Sequence, residues 1–360
     1  MTGSQIPHFG LARQYKNLKD ELLDATDKVL RSGTLMNGQY TAAFETWLAM
    51  RTNTAFAVTV HSGTQALEIM ALWIRKSFMD SHDFQPLVRI PNITYVATLN
   101  AFMKAGFVIE LVDTDKNGLM IPDYENILAN FTKITCNVGL YGANPHLQTI
   151  TGHHFNDVVD GAQHWLVADN IASGMAISFD PTKNLPASGN GGAIVTNDQE
   201  LWDFAYSYRS NGKNEHVGVG TNSRMSELDC AHLSVRANHI DKWQWRRKEI
   251  RYHYLDEFKN LDVRCLTRDF PVHADQKFVI YTDKREQLKN YLTDAGIEVK
   301  IHYHKALSEL PVAKHIYAKP DMLSTSVNLA RGLLSLPIYP ELSDGEVEYI
   351  ADTVKKFFTC

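Results

Sequence analysis

The chain has 360 residues, about twice the usual single-domain length, which predicts two domains or one large α/β domain with a smaller companion. Apolar residues make up 44% and charged residues 21%, enough for a sizeable core, while 36 Lys and Arg against 41 Asp and Glu leave a net charge of -5. The absence of a long basic block disfavours charge-driven binding to nucleic acid, and no apolar run is long enough for a membrane span. The four cysteines, Cys136, Cys230, Cys265 and Cys360, form no CxxC pair and are too sparse for a disulfide scaffold. The opening MTGSQIPHFGLARQY lacks a basic segment followed by an apolar one, so the expectation is a cytoplasmic α/β protein.

An extended arm at IPHF precedes a helix-like run from Leu18 to Leu30, and Gly33 and Gly38 bracket a turn before a second helix over Ala42 to Arg51. AFAVTV, residues 55–60, has the β-branched character and length of a strand. His61-Ser62-Gly63-Thr64 interrupts it, and QALEIMALWIRKSF reads as a helix. LVRIPNITYVATLNAFMKAG repeats the pattern, with a turn from Pro91 to Thr94, and FVIELVD is the next strand. Further strand-like pieces are ITCNVG, FNDVVD, MAISFD and GAIVTND, and crossover helices between several of them predict a mostly parallel or mixed sheet covered on both faces. A glycine-containing polar loop between Tyr206 and Met225 leads into nearly 35 helix-like residues, ELDCAHLSVRANHIDKWQWRRKEIRYHYLDEFKN, read as one bent helix or two. The domain boundary is placed near residue 240, giving a large domain 1–240 with the N-terminal arm and a smaller α+β domain 241–360. The latter holds KFVIYTD, a helix over Lys284 to Ala295, strand-like IEVKIHY and a helix after Ser343.

Small residues at Ser62-Gly63-Thr64, between a strand and a helix, let backbone N–H groups approach an anion, although an ordinary helix cap uses the same residues. Asp160 ends a short apolar strand, where open α/β sheets bind ligands; it could accept a proton from a cationic ring nitrogen or cap the next turn. Gln163 could contact the same ligand or fill the turn. Lys183 lies in a loop between Pro181 and Pro186; enclosed, it could be held neutral and form a Schiff base, and in the open it would be solvated. Ser178 could add a hydroxyl to the pocket. Together these are a phosphate cradle, a ring-nitrogen partner and an imine lysine, the contacts pyridoxal phosphate needs. No metal is expected. His153 and His154 are adjacent and need not converge, and no acid or cysteine completes a set with His302 and His304. KWQWRRK, 242–248, is read as an amphipathic helix with a solvated basic face.

The chain resembles the DegT/DnrJ/EryC1/StrS family of pyridoxal-phosphate-dependent nucleotide-sugar aminotransferases. The resemblance runs through IPHFGLARQY, SGTQAL, PNITYVAT, SFDPTKNL, GNGGAIVTND, GTNSRMSELDCAHL, IEVKIHYHKAL and LSLPIYPELSDGEVEYI, in family order over nearly the whole chain. It implies the aspartate-aminotransferase fold of type I, with a large cofactor-binding domain and a smaller C-terminal one. It implies Lys183 as the internal-aldimine lysine and Asp160 as the partner of the pyridinium nitrogen. Gly63, Thr64 and Ser178 would then hold the phosphate, Tyr95 and Gln163 the ring, and Asn222 would reach the phosphate of the partner subunit in a homodimer. His302 stands where the family has an IHYP-like segment near the substrate mouth.

The implied reaction is ping-pong transamination from glutamate or glutamine to a 3-keto or 4-keto nucleotide sugar, the cofactor cycling through pyridoxamine phosphate. Family dehydratases carry histidine at the imine position, and Lys183 disfavours that alternative; the set of matching site residues argues against a non-catalytic sugar-binding or regulatory homologue. Three departures bear on the sugar pocket. VVDGAQHW replaces an EDAAQ-like run, the stretch from His164 to Met175 is short, and Val138-Gly139 stands where a histidine is common.

Overall fold

The computed structural model describes residues 5–79, 86–121, 133–145, 157–213, 218–267, 269–314, 316 and 322–359. His153, His154 and Cys360 lie outside them, as does the start of FNDVVD. Helix α1 (Leu11–Ser32) buries Gln14, Leu18, Leu22, Ala25 and Val29, one stripe at helical spacing, and ends on Gly33 at φ 67, where a left-handed residue closes the last turn. Then come α2 (Gln39–Arg51), β1 (Phe56–Val60), α3 (Gly63–Met79), β2 (Leu87–Pro91), α4 (Val96–Lys104) and β3 (Val108–Val112). The sheet continues with β4 (Lys133–Val138), β5 (Val158–Asp160), β6 (Gly174–Ser178) and β7 (Gly192–Thr196), followed by α5 (Gln199–Tyr208).

These strands form a seven-stranded sheet in the order β1-β7-β6-β5-β4-β2-β3. The run from β6 through β5, β4 and β2 to β3 is parallel, and β7 lies antiparallel between β6 and β1. Alternation along the strands feeds two cores. Val58, Val158, Ala176 and Ile194 face α3, α4 and α5, whereas Ala57, Val159, Met175, Ile177 and Val195 face α1, α2 and the following helices.

The long helical stretch is two helices, α6 (Glu227–Ala237) and α7 (Ile240–Glu257), which meet at Asn238-His239. Asn238 is a weak helix former, and the break lets Ala237 and Ile240 both stay buried as the chain changes direction. After α7 come β8 (Arg264–Cys265), β9 (Phe278–Tyr281), α8 (Arg285–Asp294), α9 (Ser324–Gly332), β10 (Leu333–Leu336) and α10 (Asp344–Thr359). The strands make a second, antiparallel sheet in the order β10-β9-β8. IEVKIHY is not a regular strand. Ile297 bridges Ile6 of the arm on one side, Lys300 bridges Ser335 on the other, and the chain then turns toward the large sheet. Among the described residues no helix is long and apolar enough to cross a membrane.

A buried carboxylate joins the helical layer. Glu227, 1% exposed on α6, accepts the backbone N–H groups of Gly38, Tyr40 and Thr41 at 2.9, 2.9 and 2.8 Å, so it caps α2 from a distant part of the chain. Glu227→Gln keeps the shape but removes the charge and one acceptor; urea denaturation should show a loss of about 1–3 kcal/mol.

Candidate active site

The carboxyl ends of the parallel strands and the entry of antiparallel β7 lie along one sheet edge, the position where open α/β sheets bind ligands. A cavity of about 320 Å³ opens there. Gly63, Thr64, Tyr95, Asp160, Gln163, Ser178, Lys183 and His302 all line it. Asn222 does not line the cavity of its own chain. It is exposed, its backbone bridges Ser210, and its Oδ1 accepts Arg224 Nη2 at 3.3 Å.

At one end, three backbones meet. Ser62 takes two amides of the first turn of α3, its Oγ accepting Gln65 N–H at 3.1 Å and its carbonyl accepting Ala66 N–H at 3.0 Å. The Gly63 and Thr64 amides are left as donors without intrahelical partners. A Cβ on Gly63 would lie 2.7 Å from Ser178 Cβ, and one on Gly192 would lie 2.3 Å from the Ser62 carbonyl carbon. Only glycine lets β1, β6 and β7 close around this turn. Ser178 is buried at the same corner, with its Oγ accepting Asp180 N–H at 3.3 Å.

Asp160 ends β5 and is 6% exposed. Thr98 Oγ1 donates to its Oδ2 at 2.8 Å and Ala162 N–H to its Oδ1 at 3.1 Å. Burial pushes this carboxyl above the usual range, against the pull of those two hydrogen bonds and of Lys183. Lys183 follows β6, its backbone N–H donating to the Asp180 carbonyl at 2.8 Å. Enclosure drives its amine below the ordinary lysine value, opposed by Asp160 and Asp180. A lysine biased toward the neutral form is the nucleophile that imine chemistry needs.

Tyr95 stands just before α4, lines the cavity and is exposed. Gln163 is locked from both sides: its Oε1 accepts Tyr141 N–H at 2.7 Å and its Nε2 donates to Tyr303 Oη at 3.3 Å. The Tyr303 ring lies 6.1 Å from that of Tyr95. Tyr141, at φ 61, donates its hydroxyl to the His302 carbonyl, which ties the β4 loop to the chain around His302. His302 Nδ1 pairs with Ser335 Oγ at 2.9 Å, and burial with nearby Lys277 and His8 pushes the imidazole down to about 2.

Two cavity residues, Tyr303 and Lys277, escaped the sequence reading. Tyr303 is adjacent to His302, so the neighbouring motif could have flagged it. Lys277 sits in an apolar strand start with no local sign that its head reaches the site. The Gly139 departure also has a structural counterpart: a Cβ there would lie 1.8 Å from His164 Nδ1, so the His164 ring fills that space. Among the described residues neither His164 nitrogen has a hydrogen-bond partner, and burial pushes this histidine down to about 3.

The fold and this cavity define a fold-type-I, pyridoxal-phosphate-dependent enzyme. Their fit to the cofactor rests on the glycine-lined turn with free amides, the buried strand-end carboxylate and the enclosed lysine. The family model for the DegT/DnrJ/EryC1/StrS aminotransferase family matches residues 16–355, and the chain belongs to that family. It is 32% identical to the erythromycin biosynthesis sensory transduction protein EryC1 of Saccharopolyspora erythraea, over 97% of this chain and 99% of that protein. It is 28% identical to the dTDP-3-amino-3,4,6-trideoxy-alpha-D-glucose transaminase of Streptomyces venezuelae, over 98% and 96% of the two chains. The crystal structure of a DegT DnrJ EryC1 StrS aminotransferase from Brucella abortus superposes with a TM-score of 0.90 at 26% identity, covering 99% of this chain and 100% of that one.

His164 supplies a pH test. It is held down to about 3 from 6.5, so the unfolded chain binds its proton first and the stability it contributes is lost as pH falls from 6.5 toward 3. The thermal midpoint should drop across that window, and His164→Leu should make the slope shallower. A second test addresses the crowded turn. Gly192→Ala should lower stability by about 1–3 kcal/mol in thermal or chemical denaturation, because backbone cannot retreat as a flexible side chain would.

Proposed function

We propose that this chain transfers an amino group from an amino acid, glutamate or glutamine, to a keto sugar carried on a nucleotide. The observation that carries the reading is one cavity holding an enclosed lysine, a buried strand-end carboxylate and free amides at the start of α3. Bound there, pyridoxal phosphate supplies an electron sink and a carrier for the amino group. The Gly63 and Thr64 amides with Ser178 would hold its phosphate, Asp160 would pair with its ring nitrogen, and Tyr95 and Gln163 would flank the ring. The desolvated Asp160 carboxylate gains a cationic partner in this arrangement, which offsets the cost of its burial.

Lys183 has two tasks. Its Nζ would hold the cofactor, and as a neutral amine it would carry a proton from the donor α-carbon and return it on the acceptor side. His302 and Tyr303 at the far wall would orient the sugar. The dTDP-sugar transaminase similarity supports the nucleotide-sugar class. Asn222 stands outside its own cavity, which supports a homodimer in which it completes the site of the partner subunit.

Borohydride treatment of the cofactor-loaded protein followed by peptide mapping should place the cofactor adduct on Lys183. Lys183→Ala should abolish it; an adduct elsewhere would refute the assignment. Mixing inactive N222A and K183A proteins under subunit exchange should restore activity, since one of the two sites in each mixed dimer is then complete. No recovery despite confirmed exchange would exclude the shared site.

A further inference from the structure

Lys277 enters β9 from the far side of the cavity and lines it, yet only 5% of the residue is exposed. Its surroundings are short of negative charge. The nearby cations are Lys183 and, on α7, Arg247; the nearby acid is Asp180. Asp180 is occupied, with its Oδ1 accepting Thr182 N–H at 2.9 Å and Thr182 Oγ1 at 2.5 Å. Behind the wall, the acid beside His8 is Glu298, which is paired with Lys300 at 2.6 Å and accepts His8 N–H at 3.0 Å. Among the described residues no carboxylate lies within ion-pair distance of the Lys277 ammonium, which sits 5.6 Å from the centre of the Phe9 ring.

Two imidazoles complete the cluster. His302 lines the cavity with its Nδ1 taken by Ser335, leaving Nε2 without a partner among the described residues. The ring of His8, brought in by the N-terminal arm, lies 5.9 Å from that of His302, and its buried Nδ1 has no hydrogen-bond partner among the described residues. A buried amine and a half-buried imidazole on the cavity wall, with the buried His8 imidazole behind them and the nearby acids Asp180 and Glu298 engaged elsewhere, form a site that favours an added negative charge.

We propose that Lys277 and His302, backed by His8, form an anion subsite that receives a carboxylate of the substrate. The inference rests on the aminotransferase reading of the cavity and adds a requirement to it: one of the two substrates presents an acid group to this wall. Burial and the neighbouring cations push Lys277 well below the ordinary lysine value and His8 down to about 3. An arriving carboxylate reverses that bias, so binding draws protons into the cluster.

The test is calorimetric titration of the cofactor-loaded protein with glutarate, a dicarboxylate without an amino group, and with glucuronate, a sugar bearing one carboxylate. Repeating each in buffers of different ionisation enthalpy reads proton uptake directly. At least one ligand should bind with net uptake. Lys277→Met should weaken it about tenfold or more and reduce the uptake, whereas Lys277→Arg should stay within about threefold. Glutarate alone would assign the carboxylate to the amino donor, and glucuronate alone to the sugar. The proposal is overturned if neither ligand binds wild-type protein, if binding takes up no proton, or if a folded Lys277→Met binds as wild type. The first two outcomes do not depend on the variant. The same titrations on cofactor-free chain separate this inference from the proposed function, which fails instead when no cofactor attaches to Lys183.

Discussion

Placing the Asp160 carboxylate 6% exposed at the end of a central strand is costly unless a charge or several donors meet it. Thr98 and Ala162 provide hydrogen bonds but no positive charge, and Lys183 stands across the cavity on the next strand's turn. Burial acts on the two in opposite directions, pushing the acid up and the amine down. The seven-stranded sheet holds the two on separate strand ends, Asp160 closing β5 and Lys183 following β6.

That separation depends on topology. Parallel strands deliver their carboxyl ends to one edge, so Val138 and Asp160 pair in register, and β6, whose Ala176 lies beside Asp160, ends two residues further on at Ser178. The reversed β7 contributes its first residues to the same edge, and Gly192 permits its backbone to press on the Ser62 turn. The cavity's opposite wall is built differently, from the start of β9 and the irregular chain after Ile297, parts that belong to the second sheet's neighbourhood. Two walls built from different parts of the chain can diverge independently, and the wall opposite Asp160 and Lys183 carries Lys277 and His302.

Local signals made most of the large domain readable. Strand-turn-helix at Val60 to Thr64, the apolar strand ending in Asp160 and the proline-bounded Lys183 loop each announce themselves within a few residues, and their order carried the family resemblance. The rest was decided by tertiary pairing. IEVKIHY has the alternation of a strand, but its bridges fall on Ile6 and Ser335, one on each side, so no ladder grows. LLSL, too short to stand out, becomes β10 because β9 lies beside it. The break at Asn238 and the entry of Lys277 into the cavity are likewise packing outcomes, and a single lysine before FVIY carries no mark of where its ammonium ends.

The remote cap on α2 has a consequence for how the chain is made. Glu227 satisfies amides of residues 38–41 across separations of 186–189 positions, so the start of α2 stays unsealed until the chain through α6 has been produced. A nascent chain paused before that point holds α2 by its apolar face, Phe44 and Leu48, and by Glu45, which accepts Thr59 N–H, but not at its start. Its first turn is then open to water and to other chains. Completion of this layer is therefore timed by synthesis of a residue well past Lys183, which makes a truncated product ending between Lys183 and Glu227 an unsealed fragment rather than a smaller working unit.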